Sequence, residues 1–291
     1  MTSPFTLTIG CELRFHPRGE GVLMLQLEGA RCSGQDIRNE SLDVSGDGRD
    51  ISVESYVAPE GGNRYLRIRL APGVAETVTV AYRAEARIAP LLQDPATVTE
   101  IPIGDIPFAV QRYLLASRYC QSDKLERFAT QEFGRFAPGH DRITAICNWI
   151  YGHIDYVTGS SDAHTTVHDT LVSRAGVCRD FAHLGIALCR ALGIPARFVS
   201  AYAAGLQPPD FHAVFEAYLS GRWYLFDATR QASLDRMVRI GVGRDATDVS
   251  FATIYGDIEP TTPTVIARVE PEAAPGAAIA ATLQAVSFSE R

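Results

Sequence analysis

The chain has 291 residues, 46% of them hydrophobic and 21% charged, with a formal net charge of −7 and a pI of about 5.5. That is the composition of a folded soluble protein, long enough to bury a sizeable core as one large domain or two ordinary ones. The acidic balance argues against a nucleic-acid partner, which calls for a basic face, and no apolar run approaches the roughly 20 residues needed to span a bilayer.

The start, Met1-Thr2-Ser3-Pro4-Phe5, lacks the charged and then apolar segments of a signal peptide. The six cysteines, Cys11, Cys32, Cys120, Cys147, Cys178 and Cys189, form no CxxC and are too sparse for a disulfide framework. The expectation is a reducing, cytoplasmic setting in which most of these thiols act as small buried hydrophobes.

Residues 5–88 read as strands. Thr6-Leu7-Thr8-Ile9, Val22 to Leu27, Tyr65 to Leu70 and Thr77 to Tyr82 are apolar or alternating and rich in β-branched or aromatic side chains. Turn signals separate them at Arg18-Gly19-Glu20-Gly21, Gly46-Asp47-Gly48, Gly61-Gly62-Asn63 and Pro72-Gly73. Strands at this spacing predict an N-terminal β-sandwich over residues 1–90. Residues 91–107, with Pro95, Pro102 and Pro107, read as a linker, and residues 108–270 as a second domain.

Beyond the linker the period turns helical. Asp105 is placed to cap a helix that has Pro107 in its first turn. Another helical stretch opens at Ser122-Asp123 and closes at Gly134. Ile143, Ile146, Cys147 and Ile150 then form an apolar helical stripe behind Asp141. From Glu270 the chain is rich in Ala and Pro, and residues 271–291 read as a loosely held tail.

The informative segment lies between 156 and 230. Gly176-Val177-Cys178 runs straight into an apolar helix that ends at Gly193, with Pro195 just beyond. Cys178 thus stands at a helix N-terminus, where unpaired N–H groups and the helix dipole favour a thiolate and can also face an oxyanion. Cys189 lies about 16 Å further along the same helix and reads as core. Phe211 to Leu219 alternates like a strand, Ser220-Gly221 turns it, and Arg222 to Asp227 returns. His212 and Asp227 both fall near the end of this hairpin away from the turn, near-opposite across the pair. One imidazole nitrogen can then bond Asp227 and the other face Cys178, the nucleophile, base and orienter of thiol acyl transfer. The competing base, His183, points roughly 140° round the helix from Cys178. His164 and His168 have metal-like spacing but no third ligand, so neither a metal nor a cofactor is expected.

These motifs resemble those of the bacterial transglutaminase-like cysteine peptidases, within the transglutaminase-like superfamily. The matching stretches are Gly176 to Ala182, Ala191 to Arg197, His212 to Glu216 and Phe226 to Thr229, with Cys178, His212 and Asp227 in the superfamily's order, 34 and then 15 residues apart. Animal transglutaminases carry a proline where this chain has Ala228 and a tryptophan where it has Val214. The resemblance implies an α+β fold: the N-terminal sandwich, then a papain-like core of helices packed on an antiparallel sheet. It implies a thiol hydrolase acting on a peptide amide or isopeptide bond, and Tyr156 as an oxyanion donor across the cleft, although a half-buried structural tyrosine fits that position equally. Asp180, in the first helical turn, reads as structural. The alternatives are an amine-transferring transglutaminase and a non-catalytic peptide-binding module.

Overall fold

The structure is a computed structural model that describes residues 4–270 and 283–288. The expected tail falls outside the described residues over 271–282 and 289–291. The first half is strands: β1 (Phe5–Leu25), β2 (Gln35–Gly46), β3 (Arg49–Asp50), β4 (Val53–Val57), β5 (Arg64–Leu70), β6 (Val78–Ile88) and the short β7 (Leu91–Gln93). Helices follow: α1 (Phe108–Gln111), α2 (Glu126–Phe133) and α3 (His140–His153). The strand β8 (Asp155–Tyr156), the helix α4 (Val167–Ser173) and the strand β9 (Ala175–Gly176) lead to the central helix α5 (Cys178–Ala191). The chain closes with β10 (Ala196–Ala203), β11 (Phe211–Leu219), β12 (Arg222–Phe226), β13 (Met237–Gly243), β14 (Ala252–Pro260), β15 (Thr264–Glu270) and β16 (Ala285–Ser287).

The architecture is mixed α+β. The N-terminal region forms one curled antiparallel sheet rather than two facing sheets. Its axis is β1, which pairs with β6 and then β5 along one edge and with β15 and then β14 along the other. The expected turn at residues 18–21 is a bulge inside this single strand, where the pairing with β14 shifts between Pro17 and Gly21. Gly21 is required there. A Cβ on it would meet the Tyr255 carbonyl oxygen at 2.5 Å, so only a bare backbone lets β14 pass.

Strand pairing crosses the boundary expected near 91–107. Strands β14 and β15, expected in the second domain, complete the N-terminal sheet. The expected linker is tied down as well, since β7 pairs with β16, part of the expected tail. Asp105 closes a short 3-10 turn instead of capping α1, whose first residue follows Pro107 directly.

The second sheet has the order β12-β11-β10-β13. Its strands alternate. Val199, Val214, Leu225 and Ile240 face the N-terminal sheet and share its core with Leu7, Leu23 and Ile68. Phe198, Phe215, Ala217 and Phe226 face the helices and pack with Leu184, Leu188, Ile146 and Ile150. The result is three layers, sheet on sheet on helices, with α5 buried against the middle sheet.

Candidate active site

Cys178 is the first residue of α5 and is partly exposed. The turn into the helix is fixed by Asp180, whose Oδ2 accepts the Val177 N–H at 2.9 Å. Asp180 is buried and takes the Arg179 guanidinium on its other oxygen at 3.0 Å. The Arg179 side chain also donates to the Asp162 carbonyl and lies over the Tyr119 ring, whose hydroxyl donates to the Ala163 carbonyl at 2.8 Å. These bonds hold the 157–166 connection beside the cysteine.

His212 stands at the start of β11 and Asp227 just beyond β12. Pairing of Phe215 with Phe226 sets the register, and continuing it puts position 229, not 227, opposite His212. Asp227 therefore reaches the ring diagonally, with Oδ2 2.8 Å from Nε2. Its other oxygen accepts the Thr229 N–H at 2.8 Å and the Thr229 hydroxyl at 2.7 Å. Both side chains are almost closed to solvent, at 1% for His212 and 3% for Asp227.

Burial opposes charge on the His212 ring. The Asp227 carboxylate, followed by Cys178, outweighs it and raises the pKa to about 10. Burial likewise works against the Asp227 carboxylate, but His212 and Thr229 hold its pKa below the usual range. The remaining ring nitrogen, Nδ1, is buried without a hydrogen-bond partner, and the Cys178 thiol is near enough to the ring to help raise its pKa.

Tyr156 is 41% exposed, and its ring centroid lies 5.8 Å from that of Phe181 on α5. Its hydroxyl lies near enough to Cys178 for that residue's backbone N–H and thiol to act on its acidity. Burial first and the Cys178 thiol second push its pKa up to about 12, so the hydroxyl keeps its proton at neutral pH. The structure thus brings Cys178, His212, Asp227 and Tyr156 to one place.

The other candidates lie apart. His183 is buried, its Nε2 accepts the Ala246 N–H at 3.1 Å, and desolvation lowers its pKa to about 3. Burial pushes the Cys189 thiol far up, in keeping with a core role. His164 sits in an exposed loop and His168 on α4, and no cluster of three metal-binding side chains occurs among the described residues. Thr229 and Tyr119 were not singled out from the sequence. Asp227-Ala228-Thr229 does carry a signal, because an aspartate commonly bonds the backbone two residues on.

A cysteine at a helix N-terminus, near a sheet-borne imidazole with a buried carboxylate partner, is an arrangement suited to thiol acyl transfer. The transglutaminase-like superfamily core matches residues 127–228. A solved structure from Cytophaga hutchinsonii, titled a "putative cysteine protease", has a TM-score of 0.90 and 36% identity, covering 98% of each chain. The chain belongs to the transglutaminase-like superfamily. An uncharacterised protein of Mycobacterium leprae is 34% identical over 40% of this chain, and one of Mycobacterium tuberculosis is 32% identical over 44% of it. The aligned part is 46% of the length of each of these mycobacterial relatives.

Proposed function

We propose that this protein is a thiol hydrolase that cleaves a peptide amide or isopeptide bond through a thioester on Cys178, with a papain-like core as its catalytic scaffold. The observation that carries the reading is the arrangement at the end of α5: Cys178 near the buried His212 ring, whose Nδ1 has no hydrogen-bond partner and whose Nε2 meets Asp227 at 2.8 Å. The Cys178 thiolate attacks the substrate carbonyl. Oxygen charge then develops beside the Cys178 N–H and the Tyr156 hydroxyl, which serve as its donors. His212 gives its Nδ1 proton to the leaving nitrogen, and the C–N bond breaks. Water, losing a proton to Nδ1, then attacks the thioester. The C–S bond breaks, and a carboxylic acid leaves as thiolate and imidazolium are restored. Asp227 fixes the ring throughout and stabilises its charged form.

Water is the favoured acceptor because the hydroxylated, solvent-reached ring of Tyr156 borders the nucleophile where an apolar wall would exclude it. Free acid is therefore the expected product when water and a labelled primary amine compete. The first test needs no substrate. Burial raises the pKa of the other five thiols, Cys11, Cys32, Cys120, Cys147 and Cys189. Limiting iodoacetamide near neutral pH, followed by peptide mapping, should label Cys178 first. Faster labelling of Cys32, the other partly exposed thiol, would sink the assignment.

A further inference from the structure

We propose that Asp210 makes this cleft selective for substrates with a positive charge, an ammonium or guanidinium, beside the scissile amide. The inference rests on the hydrolase reading above. Asp210 directly precedes β11, two residues before His212, at the end of the connection from β10. Pro208 and Pro209 lead into it and restrict the backbone, which lowers the entropy cost of presenting its side chain. The Phe211 N–H donates to Oδ1 at 2.7 Å and fixes the carboxylate. That side chain is exposed, and no arginine, lysine or histidine forms an ion pair with it among the described residues.

Its position ties it to the chemistry. The carboxylate is close enough to the Tyr156 hydroxyl and the His212 ring to act on the charge of both, and those groups flank Cys178. Nearby acids are already engaged: Asp180 by Arg179 and Val177, Asp227 by His212 and Thr229. Two arginines adjoining the triad in sequence are engaged too, Arg179 as described and Arg230 with Asn148 and the Tyr151 ring. Asp210 is thus an exposed carboxylate near the cleft with no ion-pair partner among the described residues. Partial desolvation raises its pKa while solvent still reaches it. A substrate cation placed there regains what the carboxylate lost in hydration, and an anion is repelled.

Three methanethiosulfonates test this on the intact protein: methyl (neutral), 2-ammonioethyl (cation) and 2-sulfonatoethyl (anion). With each, the Cys178 thiolate attacks the sulfenyl sulfur, a mixed disulfide forms and methanesulfinate leaves. Rates at Cys178 are divided by the neutral reagent's rate on the same variant and by the same ratios on free 2-mercaptoethanol. The cation-to-anion ratio should exceed one in the native protein and fall about 5-fold in Asp210→Asn. It should be retained in Asp210→Glu and in Glu126→Gln, an exposed acid on α2, and should shrink with added salt. An unchanged ratio in Asp210→Asn, with Cys178 still reactive, overturns the role of Asp210 and leaves the hydrolase standing. No reaction of Cys178 with any of the three reagents overturns both.

Discussion

The charge state of His212 decides what the cysteine can do. Its raised pKa means that the ring holds its second proton across the neutral range, the form that the proposed mechanism needs for a leaving nitrogen. The sign for stability follows. A histidine raised from about 6.5 in the unfolded chain contributes stability that is fully present below pH 6.5 and lost as pH rises to about 10. Asp227, held low, contributes stability present above the unfolded carboxylate range and lost as acid protonates it. NMR titration of the imidazole rings should find His212 titrating near 10. In Asp227→Asn, which removes the largest raising cause and leaves the burial, it should drop by several units. A native His212 that titrates near 6.5 would contradict the ion-paired ground state. At this scale the place of Cys178 at the start of α5 and the contact of His212 with Asp227 were legible, because residue type, motif and spacing coincide there. Asp210 was not legible, because a carboxylate after two prolines reads as a loop residue until the fold sets it beside Tyr156 and His212.

In the proposed mechanism two elements carry the reacting pair, α5 with Cys178 and β11 with His212, so their separation becomes a catalytic coordinate. Gly185 sets it. It lies two turns after Cys178 on nearly the same face of α5. A Cβ there would stand 2.5 Å from Cε1 of Phe215, three residues after His212 on β11. The Phe215 ring is fully buried and stacked on Phe226 at 5.6 Å, so it has nowhere to turn. Normal carbon contacts need roughly 3.5–4.0 Å, so Gly185→Ala should move the helix off the strand by about 1 Å. Overpacking of this kind costs about 1–3 kcal/mol, and a misplacement of about 1 Å at the reacting atoms costs on the order of 10²-fold in rate. Alkylation of Cys178 and urea unfolding should therefore separate Gly185→Ala from Leu66→Ala in the N-terminal sheet. Both should destabilise, and only the first should slow Cys178. The β11 strand is anchored on its other side by Glu216, wholly buried, which takes Arg197 of β10 at 2.6 Å and also Arg239 of β13. The helical stripe of α3, the run of α5 and the β11–β12 hairpin were legible because apolar periodicity and turn residues agree there. The bulge in β1 was not, because Gly19 and Gly21 give the same signal for a turn as for a close crossing of strands. Strands β2, β14 and β15 escaped notice as well. Much of β2 and β14 is exposed, which leaves a weak alternating pattern.

Sequence reading at the scale of the whole molecule rests on local runs, and the features that unite this fold are non-local. β13 is an edge of the middle sheet, and its open side is closed by two amide side chains from the N-terminal half. Gln35 accepts from the Arg239 N–H and donates to its carbonyl, both at 2.9 Å. Asn63 does the same for Val242 at 2.9 and 2.8 Å. Each amide stands in for a strand and removes an exposed edge. Tyr202 of β10, fully buried, donates across the sheets to the Leu27 carbonyl at 2.7 Å. With β14 and β15 paired to β1, neither sheet has its full set of partners without both ends of the chain. The physical expectation is one cooperative unit in spite of the proline-rich boundary. The two tryptophans, Trp149 and Trp223, lie in the second half and report on the helices and the middle sheet, whereas far-UV circular dichroism also follows the N-terminal sheet. In urea the two signals should give coincident transitions with one midpoint. A chain beginning at residue 91 should fail to fold, since Val199, Tyr202, Met237 and Ile240 would face water and β14 and β15 would lose their partner. Two separated transitions, or a folded and Cys178-reactive chain starting at residue 91, would restore the two-domain division that the prolines suggest.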